Sequence, residues 1–149
     1  MITDADVEQW LREDVGHHDV TNDVPGDTEG RLVAKEAGTV AGLDAARAVF
    51  SYLDCDPTLR VGVGDPIEPG DVLLEVAGPA RKLLRGERVA VNIVGHASGI
   101  ATKTAAAVDA ARTVADDTVI SGTRKTTPGL RSVEKRSVAA RGRDTHQPH

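Results

Sequence analysis

A short β-branched run, Thr118-Val119-Ile120, opens almost directly into the fourteen residues from Gly122 to Lys135, which hold the four cations Arg124, Lys125, Arg131 and Lys135 and the Thr126-Thr127 pair. A strand that ends on Thr, Arg and Lys delivers hydrogen-bond donors to a carboxylate or phosphate at its C-terminal end. Arg offers a planar fork of donors and Lys a mobile point charge. The feature therefore calls for a fold that carries an anion site at the end of a strand. Charge alone also fits a solvated basic loop, so the order of the residues has to separate the two readings.

That order, Thr123-Arg124-Lys125-Thr126-Thr127-Pro128-Gly129-Leu130-Arg131 with Glu134-Lys135, closely resembles a signature of quinolinate phosphoribosyltransferase, the carboxylating nicotinate-nucleotide pyrophosphorylase family of NAD synthesis. Other stretches agree with that family in the same order along the chain. They are Glu13-Asp14-Val15-Gly16 with Asp19-Val20-Thr21, Ala41-Gly42-Leu43, Gly64-Asp65, Pro69-Gly70-Asp71-Val72-Leu73, Gly78-Pro79-Ala80, Glu87-Arg88-Val89-Ala90-Val91-Asn92 and Ser98-Gly99-Ile100-Ala101-Thr102. A collinear series is far more specific than any one of its members.

The resemblance implies an α+β architecture: an N-terminal α/β sandwich over residues 1–104, then the first part of an incomplete α/β barrel over residues 105–149. It implies an intertwined homodimer or higher assembly. The implied reaction is attack of the quinolinate ring nitrogen on the anomeric carbon of phosphoribosyl pyrophosphate. Pyrophosphate leaves with Mg²⁺ assistance, and loss of carbon dioxide gives nicotinate mononucleotide. Thr123, Arg124 and Lys125 match the family's substrate-binding triplet, Arg88 the arginine that reaches into the partner's site, and His146 a histidine of the quinolinate pocket. Cations suit such a site because a dianion and a polyanion must be gathered against mutual repulsion.

The chain departs from the family pattern near its end. Arg141 and Arg143 stand where the family has glycines, and Gln147 stands where an arginine binds quinolinate. The family's Lys-Asp-Asn-His stretch, metal-binding acids and Gly-rich phosphate loops are not found in the 149 residues, so Mg²⁺ ligands are absent. The chain reads as a truncated or frame-damaged member, or a fragment, with little activity expected of it alone. Two other readings are a non-catalytic dimerisation module and a related pyrophosphorylase of the kind associated with molybdate transport.

Charge is unevenly spread. Residues 1–120 hold 11 Lys and Arg against 21 Asp and Glu, whereas residues 121–149 hold 7 against 2. The acidic body argues against non-specific nucleic-acid binding, which needs Lys and Arg along a face. With Asp 15 to Glu 8 and only 5 lysines, the surface suits a salt-rich cytoplasm such as that of a halophilic archaeon. The single Cys55 excludes an internal disulfide, and His17-His18-Asp19 lacks further ligands at metal-binding spacing. No apolar run approaches the roughly 20 residues that span a bilayer, and a cytoplasmic location is expected.

Periodicity predicts a helix after Thr3 or Asp4 burying Val7, Trp10 and Leu11, a strand over 31–40, and a helix over 43–53 with Ala45, Val49 and Tyr52 in the core. A hairpin follows, with Val61 and Val63 before Gly64 and a strand over 72–76. Pro79 then opens a helix to about His96 with Leu83, Leu84, Val91 and Val94 buried; Gly95 and Ser98-Gly99 break it before an Ala-rich segment over 100–113. A barrel opened at its first strand leaves the apolar faces of Ala105 to Val119 uncovered, which favours self-association.

Overall fold

The computed structural model describes residues 2–14, 26–114 and 129–140. Helix α1 (Asp4–Asp14) starts on a reciprocal cap, in which the Asp6 amide donates to Thr3 Oγ1 and the Thr3 amide to Asp6 Oδ2. Its stripe Val7, Trp10 and Leu11 is buried as the spacing predicts. Strand β1 (Asp27–Val33) follows, then β2 (Gly38–Thr39), α2 (Leu43–Tyr52), β3 (Asp56–Leu59), β4 (Pro66–Ile67), β5 (Val72–Pro79), α3 (Ala80–Arg112) and α4 (Arg131–Ala139).

An antiparallel sheet of order β1-β5-β3 forms one layer and the helices the other. The register aligns Leu32, Leu74 and Leu59 in one row and Arg31, Glu75 and Thr58 in the next. Period-two alternation then turns the leucines to the helices and the polar row to solvent, where Arg60 pairs with Glu75. Leu74 is fully buried and joins Val49, Phe50, Leu83 and Val89 in the core. The layers match the α/β sandwich that the resemblance implies.

Several elements differ from expectation. The strand expected over 31–40 begins at Asp27 and stops at Val33, the last residue paired with β5 and already past a register shift between Leu32 and Val33. In the hairpin the paired strand is Asp56–Leu59; Val63 is half exposed and Val61 lies outside any strand. Tyr52 is exposed rather than core, its hydroxyl donating to Glu8 Oε1 at 2.8 Å. Ala105 and Val108 are buried, so the chain itself covers part of the face expected to lie open. The strand expected at Thr118–Ile120 lies outside the described residues.

The largest correction concerns α3, which runs unbroken for 33 residues through Gly95 and Gly99, about 50 Å at 1.5 Å per residue. Two glycines cost a helix roughly 2 kcal/mol together, and the packing of Ile93, Val94, Ala97 and Ala101 on either side of them outweighs that. Leu84 is only partly buried and Val91 is 44% exposed, because the core-facing side runs through Val89, Ala90, Ile93 and Ala97 instead.

The Ser98–Thr102 stretch also has a structural task. The Thr39 amide donates to Thr102 Oγ1 at 2.9 Å and the Ala41 amide to Ser98 Oγ at 3.0 Å; the same hydroxyls donate to the Thr39 and Ala41 carbonyls. β4 pairs with β2 on one edge, and two hydroxyls one turn apart on α3 satisfy the other edge along residues 39–41.

Candidate functional site

On α3, the buried positions Leu83, Gly86, Val89, Ala90, Ile93, Val94 and Ala97 leave Arg81, Arg85, Arg88, Asn92, Gly95 and Gly99 at helical spacing on the opposite, exposed side. Arg88 therefore projects away from the core of its own chain. Four cations, Arg81, Lys82, Arg85 and Arg88, crowd the first third of the helix, and the first turn carries no acid. The macrodipole already makes that end positive, so the arrangement favours an anion brought from outside. Around Gly95 and Gly99 an added Cβ would meet no atom within 4 Å.

Helix α4 is seated on α3 and α2 and on a turn, and the residue ahead of it is tied to α1. Glu134 Oε1 lies 2.9 Å from His96 Nε2 on α3, and Arg136 pairs with Asp44 in the first turn of α2. Val133 and Ser137 are buried beneath it, Ser137 Oγ donating to the Val133 carbonyl at 2.7 Å. Ahead of the helix, the Trp10 indole of α1 donates to the Gly129 carbonyl at 3.2 Å. Gly129 has φ +82°, a conformation open to glycine, and a Cβ there would stand 3.1 Å from Gln9 Nε2. At the other end, Gly64 has φ +90° and passes so close beneath α4 that a Cβ would stand 2.8 Å from the Ala140 carbonyl oxygen.

Of the residues expected at the site, only Arg88 is among those described. Thr123, Arg124 and Lys125 fall within 115–128 and His146 within 141–149, both outside them. The triplet is bracketed by α3, which ends at Arg112, and by the seated Gly129. Sequence reasoning missed α4 and its three tethers. The spacing Leu130, Val133, Ser137 was the available signal, since all three are at least partly buried.

Among the described residues two titratable groups are shifted. Burial pushes the Cys55 thiol up, with Asp54 adding and Lys82 opposing. The hydrogen bond to Glu8 is the first cause raising the Tyr52 phenol. Among the described residues no three His, Cys, Asp or Glu side chains converge to hold a metal ion.

Comparison with known proteins places the whole chain. Residues 19–98 match the family model "Quinolinate phosphoribosyl transferase, N-terminal domain", and residues 100–148 match the corresponding C-terminal domain. The handover falls inside the unbroken α3. The human nicotinate-nucleotide pyrophosphorylase [carboxylating] is 40% identical over 143 residues, which are 95% of this chain and 48% of that protein. A probable counterpart from Archaeoglobus fulgidus is 40% identical over 129 residues, 87% of this chain and 50% of that one. The chain thus spans about half the length of the curated relatives it matches. Among solved structures, NadC from Streptococcus pyogenes superposes with a TM-score of 0.84 at 37% identity, covering 98% of this chain and 54% of that one. A NadC deletion mutant gives 0.85 at 40% identity, covering 99% and 55%.

Proposed function

The chain belongs to the quinolinate phosphoribosyl transferase family, and on that premise we propose that it supplies substrate-binding residues for the carboxylating synthesis of nicotinate mononucleotide. The ring nitrogen of quinolinate bonds to the anomeric carbon of phosphoribosyl pyrophosphate as the bond to pyrophosphate breaks. Loss of the 2-carboxylate as carbon dioxide then returns its electron pair to the ring, where a proton replaces it. Thr123, Arg124 and Lys125 take the quinolinate carboxylates, and His146 lines the same pocket. Residues 1–104 act as the sandwich and residues 105–149 as the opening of the barrel. Mg²⁺ arrives with phosphoribosyl pyrophosphate.

The position of Arg88 carries this reading. Its place on the exposed side of α3, away from the core of its own chain, suits an arginine that serves a neighbouring copy, and the cations Arg85 and Arg81, one and two turns before it, supply a field that attracts polyanions. The partners are accordingly the two anionic substrates and a second copy of the chain. No helix among the described residues is long and apolar enough to cross a membrane.

Calorimetric titration with quinolinate and, separately, nicotinate tests the proposal. Quinolinate should bind at least about tenfold more tightly, since nicotinate leaves one charge-assisted contact unmade. Equal affinities would favour a pyrophosphorylase of different substrate, and no binding of either would favour a dimerisation module.

A further inference from the structure

We infer that the outer edge of β1 pairs with β1 of a second copy of this chain, antiparallel and in register about Gly30, and joins the two sheets into one. The inference stands on the described residues and does not depend on the function proposed above.

Among the described residues β1 is an edge strand, with β5 on one side and no strand on the other. Just before β1 the Gly26 carbonyl accepts from the Ala80 amide, and just after it the Ala34 amide donates to the Asp71 carbonyl. The backbone groups of the even-numbered positions therefore turn toward β5. Since successive residues of an antiparallel strand turn these groups to opposite sides, those of Asp27, Glu29, Arg31 and Val33 point outward, as a template for one more strand. The side chains of Glu29 and Arg31 are exposed on the solvent face. Neither is paired within its own sheet: Glu29 is aligned with Ala77, and Arg31 with Glu75, which Arg60 already engages.

Those two charges select the partner. A two-fold axis through Gly30 sets Glu29 of each copy opposite Arg31 of the other, at positions that exchange backbone hydrogen bonds. Slipping the strands by two residues instead sets Glu29 against Glu29 or Arg31 against Arg31, which is unfavourable. At the axis itself the backbones come closest, and the residue there has no side chain. Beneath the same edge, β1 and α3 leave a cavity of about 70 Å³ whose lining includes Gly30, Leu32, Leu83, Ala90 and Val91. Val91 is among the exposed large apolar residues and Leu32 is only partly buried. Leu32 of the second copy stands diagonal to Gly30, from where a long side chain reaches this space. Pairing thus covers apolar surface that a single chain leaves to water.

Sedimentation equilibrium of the full 149-residue chain tests this. Glu29→Arg opposes cations across the axis and Arg31→Glu opposes acids, so each variant should associate roughly tenfold more weakly than wild type. Both positions are exposed, and circular dichroism melts should stay close to wild type. The equimolar mixture of the two variants is the discriminating sample. Each chain then meets unlike charges at both positions of the other, and association should return to about the wild-type level. A wild-type chain that stays monomeric overturns the inference, as do variants that associate like wild type or a mixture no stronger than its components. Arg88→Ala is run beside them. Association that survives both charge reversals and is lost in Arg88→Ala would put the second copy on α3, which overturns the edge pairing and leaves the function proposed above in place.

Discussion

Gly86 of α3 faces the ring of Phe50 on α2 so closely that a Cβ on the glycine would stand 3.1 Å from Phe50 Cδ1 and Cε1, and 3.0 Å from Leu53 Cδ1. The close approach of α2 and α3 depends on that missing methyl. Gly95 and Gly99, on the same helix, have nothing within 4 Å. Alanine in a helix interior is worth about 1 kcal/mol over glycine, so Gly95→Ala and Gly99→Ala should each stabilise the isolated chain by about that much. Gly86→Ala should destabilise it by about 1–3 kcal/mol through overpacking. Urea titration checks both signs.

The Cys55 thiol is held up chiefly by burial. In the folded state it keeps its proton where the unfolded chain has begun to ionise, so the folded state binds more protons and stability falls as pH rises from about 8.5 upward. Tyr52 contributes in the same direction at higher pH. Denaturant melts between about pH 7 and pH 10 should show the decline, and Cys55→Ala should flatten its lower part. A wild-type slope in that variant would assign the decline to other groups.

Arg124→Ala and Lys125→Ala should each weaken quinolinate binding by roughly 10–100-fold, on about 1.5–3 kcal/mol per charge-assisted contact. Wild-type affinity in both would move the site elsewhere.

If Arg88 serves a second copy, Arg88→Ala and Lys125→Ala chains are complementary. Neither homodimer has an intact site. Equal mixing should restore roughly a quarter of the sites, since half the dimers are mixed and each of those holds one complete site. Titration of the mixture that shows no restored sites would place Arg88 outside the shared site.

The acidic body suggests a protein built for salt. At molar ionic strength the screening length is about 3 Å, and it lengthens to about 10 Å at 0.1 M, where the repulsion among carboxylates returns. Dialysis from molar potassium chloride into dilute buffer should lower the melting temperature or dissociate any assembly the chain forms, as circular dichroism and sedimentation would report. Unchanged behaviour would detach the composition from any halophilic habit.

The sequence exposed those parts of the fold in which neighbouring residues decide the outcome. Thr3 and the stripe Val7, Trp10, Leu11 specify α1, and Leu43 to Tyr52 specify α2. It misled where distant packing overrides local preference. Gly95 and Gly99 weaken a helix locally, yet Ile93, Val94, Ala97 and Ala101 have core partners that hold it. Val61 and Val63 have strand propensity, but the partner of β5 is Asp56–Leu59, fixed by register and not by composition. The candidate site stands in the sequence as a string of residue types, of which Arg88 alone falls among the described residues, on an outward face. The bond from Trp10 to Gly129 was not legible, because nothing in a local pattern links positions 119 residues apart.

The unbroken course of α3 bears on how such proteins are inherited and dissected. One helix contributes hydroxyls to the edge of β2, the exposed Arg88 and His96, the partner of Glu134, and it passes without a joint through the point where one family domain gives way to the next. A cut there would sever a rod about 50 Å long and leave each part with a raw apolar face. The two regions are poorly suited to shuffling as separate genetic cassettes, and recombination points compatible with folding should lie before Ala80 or beyond Arg112.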